Sequence, residues 1–454
     1  MAGDISTHEE LVFGRPPEGA AEAVDVAAEE AQGHVLHHYG ERVAIVQVDP
    51  GETSALGEAL PKGVSAAPSR ITKADRNKLS DTEQLGLAAF ELRTSTEYAA
   101  MKADRPLQGV GWDEAEEEAM QPGCAELALA PAPAEDLDVL SHVAIPLSAR
   151  LSGSVAVGLV IVEGPTAALQ FSAAERATVV AETQNGTTWL GGRHPVRPVV
   201  WRWDIDVVRL TVTADPAAAD LEARWRDPAM AALGFGPGLA GVRAYAEDLR
   251  RRLGTDWAYV AFFTKYPLGW FAYASIGGPR LVMAYDNDGW GPANIDRVFA
   301  HETGHIFNAP DEYAASNCNC GGSWGYYGKP NANCANCATG GGVACIMKSN
   351  SWEMCTSTPF HLGFPLCPGR LGVQFRGSVP ALSTRRWFTH SWPADCHVLW
   401  SVLPLTVRTG APQVRWDIHP ERASAGYITY WISITNISPV PCDIEARYAV
   451  LGAT

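Results

Sequence analysis

Positive charge is scarce in this sequence. Its 454 residues include 35 Lys and Arg against 51 Asp and Glu, which gives a formal net charge of −16. Nucleic acids and anionic membrane surfaces are bound through clustered Lys and Arg, so neither is expected as a partner. Long apolar runs are also missing, and none approaches the roughly 20 residues of a membrane-spanning helix. We therefore expect no membrane span.

A secretory signal and early cysteines are lacking as well. Residues 1–32 have no basic start followed by an apolar segment, and are instead rich in Glu and Ala, so we expect a flexible N-terminus. Cys124 is the only cysteine before residue 318, whereas nine of the ten cysteines follow residue 317. Such a dense group is typical of disulfide-bonded extracellular domains. The cysteine pattern indicates an extracellular or otherwise oxidising location, reached by a non-classical route.

The stretch from residue 301 to residue 313 carries the clearest chemistry. His301 and His305 are four residues apart, so on a helix both imidazoles can bind one metal ion. Glu302 follows the first histidine, where it can act as a general base on a water at that metal. This is the H-E-x-x-H pattern of zinc proteases. The alternative, an amphipathic helix that happens to carry two histidines, does not explain the glutamate.

A third ligand is predicted at Asp311 from the pattern H-E-x-x-H-x-x-G-x-x-H/D. Asn308 holds the glycine position of that pattern, where a chain leaving the helix usually needs a positive φ that asparagine tolerates. Glu312 is a competing third ligand, and Glu353 is a second one, from a later segment. Spacing favours Asp311.

These residues, together with Cys345-Ile346-Met347 downstream, resemble the metzincin metallopeptidases, with a Met-turn like that of the adamalysin-like members. The resemblance implies zinc as the cofactor, Glu302 as the general base and a protein or peptide substrate. It also implies that Met347 lies beneath the zinc site. Asn308 and Asp311 depart from the commoner glycine and histidine. The family's substrate-binding sheet edge corresponds to residues 280–285, although no individual substrate-binding residue is assigned.

The length predicts several domains, because one core rarely serves more than about 300 residues. We expect a multidomain α+β chain. Its four parts are a flexible N-terminus (1–32), a small α+β regulatory or prosegment-like region with an acidic connector (33–149), a metzincin-like zincin catalytic domain (150–369) and an antiparallel β-sandwich (370–454). The second part should contain a hairpin over residues 34–48 and a helix over 79–101, with the connector at 104–138.

Cys124 lies within that connector and is a candidate inhibitory thiol. A cysteine placed before the catalytic domain can ligate zinc and displace its water, as the cysteine switch of matrixins does, and the chain would then be a latent zymogen. The alternative is an unreactive or disulfide-paired cysteine.

The Gly-, Asn- and Cys-rich segment 317–342 is too polar to bury a core of its own, so it needs covalent or metal cross-links. Cys318, Cys320, Cys334 and Cys337 can form either disulfides or a structural zinc site. We favour disulfides, since adamalysin-like domains carry them in this region.

After about residue 370 the sequence alternates in short β-like runs. Five tryptophans there predict either a sandwich core or a face that binds a glycan or a protein: Trp387, Trp392, Trp400, Trp416 and Trp431. Two functions follow. The first is a zinc endopeptidase, and the alternative is a carbohydrate- or protein-binding module whose zinc domain is an inactive scaffold. The intact Glu302 favours the peptidase.

Overall fold

The structure is a computed structural model that describes eleven stretches of the chain. These are residues 8–14, 20–31, 33–49, 53–60, 64–66, 71–113, 146–286, 289–364, 370–394, 396–424 and 427–453. The chain divides into two compact units, Met1–Gly363 and Phe364–Thr454. None of the helices in these stretches has the length and apolar character needed to cross a membrane.

A mixed nine-stranded sheet forms the frame of the first unit. Its strands are β1 (His8–Gly14), β2 (His34–Tyr39), β3 (Val43–Val48), β4 (Val64–Ala66), β5 (Ser154–Glu163), β6 (Val200–Arg209), β7 (Trp257–Thr264), β8 (Ala272–Ala274) and β9 (Arg280–Ala284). They lie in the order β4-β1-β3-β2-β6-β5-β7-β9-β8. From β2 through β6, β5 and β7 to β9 the pairing is parallel, and the flanking pairs are antiparallel. β5 is buried along almost its whole length, which explains its unbroken apolar sequence.

Helices cover both faces of the parallel part of this sheet. The helices of the unit are α1 (Ala20–Glu30), α2 (Thr53–Ala59), α3 (Lys73–Arg76), α4 (Asp81–Arg93), α5 (Thr96–Ala103), α6 (Ala173–Gly192), α7 (Leu221–Ala232), α8 (Gly238–Arg252), α9 (Ile295–Ile306) and α10 (Thr358–His361). On one face, Trp225 of α7 packs against Phe262. On the other, Phe299 of α9 stacks on Phe263, with ring centroids 6.1 Å apart. The sheet therefore supports α9, the helix that contains His301 and His305.

α6 packs against α9 at very short range. A Cβ added to Gly186 would lie 2.3 Å from the carbonyl oxygen of Asp296, so only glycine allows the two helices to approach this closely. A capping box starts α6, with Ser172 and Glu175 bonded reciprocally.

The N-terminal third of the chain differs from expectation in two ways. Residues 8–14 and 20–30, expected to be flexible, form β1 and α1, and Leu11, Val12, Ala27 and Ala28 are buried. In addition, the predicted hairpin of β2 and β3 belongs to the same sheet as the strands of residues 150–369, because β2 pairs in parallel with β6. Alternating valines and isoleucines predict these strands, but the sequence does not show which partner strand they take.

The helix expected over residues 79–101 is two helices, α4 and α5. The predicted capping box of Ser80 and Glu83 starts the first. Ser95 then acts as a second N-cap, since its hydroxyl accepts a hydrogen bond from the backbone N–H of Tyr98. A serine that caps a new helix ends the preceding one, which is the reason for the break.

The second unit contains two three-stranded antiparallel sheets. Its strands are β10 (Arg370–Val379), β11 (Thr384–Pro393), β12 (Cys396–Pro404), β13 (Val414–Arg422), β14 (Tyr427–Asn436) and β15 (Cys442–Ala453), in the orders β10-β15-β12 and β11-β14-β13. Residues of both sheets, such as Ile432 and Ile444, form one core. Trp392 is buried within this core and Trp387 and Trp400 pack against it. For these three tryptophans the core interpretation is correct.

Candidate metal centre

Three ligand atoms meet at one point above α9. The Nε2 atoms of His301 and His305 are 3.1 Å apart, and Oδ1 of Asp311 lies 3.1 Å from each of them. All three side chains are largely buried. The structure thus brings together the three residues that the sequence predicts as metal ligands.

The other ring nitrogens show why this arrangement requires a cation or an added proton. Nδ1 of His301 lies 2.9 Å from the carbonyl oxygen of Ile346, and Nδ1 of His305 lies 2.8 Å from that of Ala309. A carbonyl only accepts, so each Nδ1 carries the proton, and each neutral ring presents an Nε2 lone pair to the other. Two lone pairs and a carboxylate oxygen at this distance repel one another unless a positive charge lies between them.

The dimensions fit zinc. Nitrogen and oxygen ligands at 2.0–2.1 Å in a tetrahedral site are separated by about 3.3 Å, close to the 3.1 Å measured here. Two neutral imidazoles and one carboxylate are a donor set typical of catalytic zinc, and three protein ligands leave the fourth position open. The Nδ1 hydrogen bonds to backbone carbonyls fix the tautomers that such binding needs.

Glu302 is placed beside this triangle with an unused oxygen. Its side chain is 5% exposed, and among the described residues its Oε2 has no hydrogen-bond partner. Burial raises the pKa of this carboxyl; the histidine charges oppose that effect, and Asp311 adds to it. A buried carboxylate with a free oxygen next to a metal position is suited to accept a proton from a water there.

Without a cation, the negative charges of Asp311 and Glu302 favour a proton on His305. Burial lowers the pKa of this imidazole, but Asp311 and Glu302 outweigh that effect and raise it to about 9. The histidines and their hydrogen bonds hold the pKa of Asp311 well below its usual value despite burial. A metal ion at this point replaces the proton, so the two compete.

This competition predicts how the stability of the metal-free protein depends on pH. The pKa of His305 rises from its ordinary 6.5 to about 9 on folding, so the stabilisation is fully present below pH 6.5 and is lost as the pH rises through 9. The expected loss is on the order of 3 kcal/mol. Denaturant midpoints of metal-free and zinc-loaded protein between pH 6 and pH 10 measure it, and zinc should abolish this loss.

A second buried group titrates in the same window and requires a control. Burial, with the nearby charge of Asp296, raises the pKa of Glu182 to about 8, so its protonated form also stabilises the fold at lower pH. Metal-free Asp311→Asn protein keeps Glu182 but lacks the charge that raises the pKa of His305. An equal loss of stability in that variant and in the wild type contradicts the assignment to His305.

The chain after α9 turns back sharply to bring Asp311 to the histidines. Asn308 has φ of 71°, the positive value that its place at the helix end predicts. Its side-chain amide donates to the carbonyl of Ser148, which fixes the turn. Glu312 N–H then donates to the carbonyl oxygen of Met347 at 2.9 Å. Asp311 is therefore held by the Met-turn as well as by the helix.

Met347 lies under α9, in the place that the resemblance implies. The side chain is fully buried, and a Cβ added to Gly304 would lie 2.6 Å from its Sδ. Gly304 is the position between the two histidines that faces this sulfur, so the absence of a side chain there lets the Met-turn pack directly on the helix.

Trp112 is a part of the site that the sequence analysis did not identify. Its ring meets that of His301 edge-on, with centroids 5.3 Å apart, and its Nε1 donates to the Ile346 carbonyl that also receives the His301 proton. Backbone hydrogen bonds from residues 109–112 to Lys348 and Asn350 hold it there. No motif marks this tryptophan; only its contact across the fold reveals it.

The rival ligands do not join the triangle. The carboxylate of Glu312 is bonded to Asn333, Cys355 and Thr358 instead. Glu353 is exposed. The structure therefore places Asp311, and neither alternative, at the two histidines.

Disulfides join Cys318 to Cys334 and Cys320 to Cys337. This agrees with the favoured alternative for these cysteines and leaves none of the four to bind zinc. Cys124 lies outside the described residues. No family model, no curated protein and no solved structure matches the chain, so the interpretation of this centre depends on its geometry.

Proposed function

We propose that the protein is a zinc-dependent endopeptidase of the metzincin type. One observation carries this proposal: the Nε2 atoms of His301 and His305 and a carboxylate oxygen of Asp311 lie 3.1 Å from one another, with the buried Glu302 beside them. His301, His305 and Asp311 would hold the ion. When bound there, zinc lowers the pKa of a water and polarises a carbonyl oxygen.

Glu302 performs the proton transfers in this proposal. Its unused oxygen takes a proton from the water that attacks the scissile carbonyl carbon, and it then gives that proton to the leaving amine. Burial favours this role because a raised pKa makes the carboxylate a better base than an exposed glutamate. The backbone carbonyls of Ile346 and Ala309 keep both histidines in the tautomer that binds metal.

The edge of the described sheet lies at a different strand from the one expected. Residues 280–285 were predicted at the edge, but β9 is paired on both sides, by β7 and β8. The chain reverses at Gly277 and Gly278, both with positive φ, and places β8 last in the described sheet. Gly277 N–H donates to the carbonyl of His305, which ties this turn to the metal centre. We propose β8 as the strand that pairs with an extended peptide.

Latency is a secondary proposal. Residues 109–112 form backbone hydrogen bonds with Lys348 and Asn350, next to Met347, and the ring of Trp112 contacts that of His301. Ten residues lie between Asp113 and Cys124, and these eleven steps along the chain span at most about 36 Å when extended. A tether of this length is long enough to allow the Cys124 thiol an inhibitory role at the metal centre.

The alternative function, ligand binding by the second unit, has one supporting observation. On β11 and β14 the ring of Phe388, which is 59% exposed, lies 5.3 Å from that of Trp431, and Arg386 lies over the same tryptophan at 4.4 Å. Aromatic rings beside an arginine can stack on the apolar face of a sugar. This patch supports a binding role in addition to the peptidase and does not require the zinc centre to be inactive.

Metal removal tests the proposed activity. We expect the purified chain, intact or nicked by limited proteolysis, to cleave an unfolded protein substrate, to lose that activity on chelation, and to regain it with zinc. Mass spectrometry of the products shows whether internal peptide bonds are cut. Zinc-loaded protein that cleaves nothing in either form would contradict the proposal.

A further inference from the structure

A second group of ligand-type atoms lies next to the metal centre and takes no part in it. Glu312 and Cys345 are fully buried and Cys355 is 5% exposed. One ligand atom from each residue lies within 4.8 Å of the other two, and Cys355 Sγ is 3.1 Å from Glu312 Oε1. Two thiols and a carboxylate, all shielded from water, therefore face a common point.

The hydroxyl of Thr358 completes a four-cornered arrangement. Its Oγ1 lies 3.0 Å from Glu312 Oε1, 3.2 Å from Cys345 Sγ and 3.3 Å from Cys355 Sγ. A hydroxyl has a single proton, so it can donate to one of these three atoms only. A tetrahedral zinc site with sulfur at 2.3 Å and oxygen at 2.0–2.2 Å has corner-to-corner separations of about 3.4 to 3.8 Å, so an ion bound here would move these atoms apart by a few tenths of an ångström.

Backbone donors lie around both sulfurs, with more of them around Cys355. The N–H groups of Ser357 and Thr358 point to Cys355 Sγ at 3.3 and 3.4 Å. The N–H of Cys355 points to Cys345 Sγ at 3.4 Å. Hydrogen bonds to a charged form stabilise it, so the two donors favour the thiolate of Cys355, whereas burial raises the pKa of the Cys345 thiol.

The carboxylate in the group also requires compensation. The second oxygen of Glu312 accepts a hydrogen bond from Asn333 at 2.6 Å, but in the described part of the chain no Lys, Arg or His forms an ion pair with it. A buried carboxylate beside two thiols is costly unless a proton or a cation neutralises it.

We propose that Glu312, Cys345 and Cys355 bind a second, structural zinc ion, with the Thr358 hydroxyl at the fourth position. Thiolates select zinc over magnesium or calcium, and a closed four-ligand site is typical of structural zinc. The cysteines of the neighbouring segment are already joined in disulfides, whereas Cys345 and Cys355 both keep their thiols.

This second site supports the first through the backbone. Glu312 directly follows Asp311, and Cys345 directly precedes Ile346, whose carbonyl receives the His301 proton. A metal on Glu312 and Cys345 fixes both neighbours at once. The inference goes beyond the peptidase function and does not require it.

Metal counting on the full-length protein tests the proposal. After purification without reductant or chelator, we expect two zinc ions per chain in the wild type and one in the His301→Ala/His305→Ala variant. Replacement of zinc by cobalt(II) identifies the remaining ion, because thiolate ligands give intense charge-transfer absorption that His and Asp ligands do not. That absorption should persist in the histidine variant and disappear in Cys345→Ser/Cys355→Ser.

The outcomes separate the two sites. A Cys345–Cys355 disulfide in the mass spectrum of the zinc-loaded wild type overturns the proposal, as does cobalt protein without thiolate absorption. If the cysteine variant does not fold, Glu312→Gln replaces it, with loss of one zinc as the expected result and full retention as the contrary one. A wild type with one ion that shows thiolate absorption supports this site and contradicts the catalytic one.

Discussion

Glu302→Gln protein is expected to keep its fold and the zinc at His301 and His305 but to cleave peptides about 10² to 10⁴ times more slowly than the wild type. The amide has nearly the size of the carboxylate, so packing around this buried side chain changes little. The amide cannot take a proton from water as the carboxylate can. Initial cleavage rates at equal zinc content measure the effect.

The matched control is Glu353→Gln. It is the same chemical change at an exposed residue, and Glu353 is the third ligand in the rival interpretation. We expect wild-type zinc content and wild-type rates. If instead the Glu353 variant lost its metal, or if Glu302→Gln stayed fully active, the proposed roles of these two glutamates would be wrong.

Local sequence features predict which residues meet at the candidate metal centre, because its parts are local. His301, Glu302 and His305 share one helix turn, and Asp311 follows after a turn whose positive φ falls on Asn308. The disulfides of Cys318 and Cys320 likewise lie within one short segment, although the sequence favours disulfides there without showing which cysteines pair. Helical period and turn preference are fixed by neighbours in the chain, so they can be seen in the sequence.

Features that depend on distant contacts could not be predicted in this way. Trp112 reaches His301 across nearly 190 residues, and only the fold brings them together. The start of α9 also depends on residues distant in the chain, because the Asp296 carboxylate receives hydrogen bonds from Lys102, Arg105 and Asn185. Residues assigned to a separate regulatory region thus anchor the first turn of the helix that carries His301 and His305.

The order of the strands in the sheet could not be predicted from the sequence either, for a physical reason. An apolar strand pattern shows that a strand is buried but not which neighbours bury it. β9 satisfies the pattern of a strand near the active helix, yet the short β8 pairs with its outer side. β8 has only three half-buried residues and therefore gives a weak sequence signal.

Asp311→Asn protein is expected to bind the zinc at His301 and His305 at least about 100-fold more weakly than the wild type. Loss of an outer-shell partner alone typically costs 10- to 100-fold, and Asp311 is the charged member of the three candidate ligands His301, His305 and Asp311. The neutral amide oxygen removes the negative charge that balances the cation. Competition with a chromophoric chelator, at a pH where both histidines are neutral, measures the affinity.

Glu312→Gln is the informative comparison, because Glu312 is the adjacent residue and the nearest competitor for the role of third ligand. The carboxylate of Glu312 contacts Asn333, Cys355 and Thr358. Loss of its charge should therefore leave cobalt(II) bound by His301 and His305, and that cobalt should show no thiolate absorption. If instead the Glu312→Gln protein bound metal weakly at the two histidines and the Asp311→Asn protein bound it as tightly as the wild type, the third ligand would be Glu312. The 3.1 Å approach of Asp311 to both Nε2 atoms would then be a feature of the metal-free protein only, in which a proton on His305 attracts the carboxylate that zinc does not use.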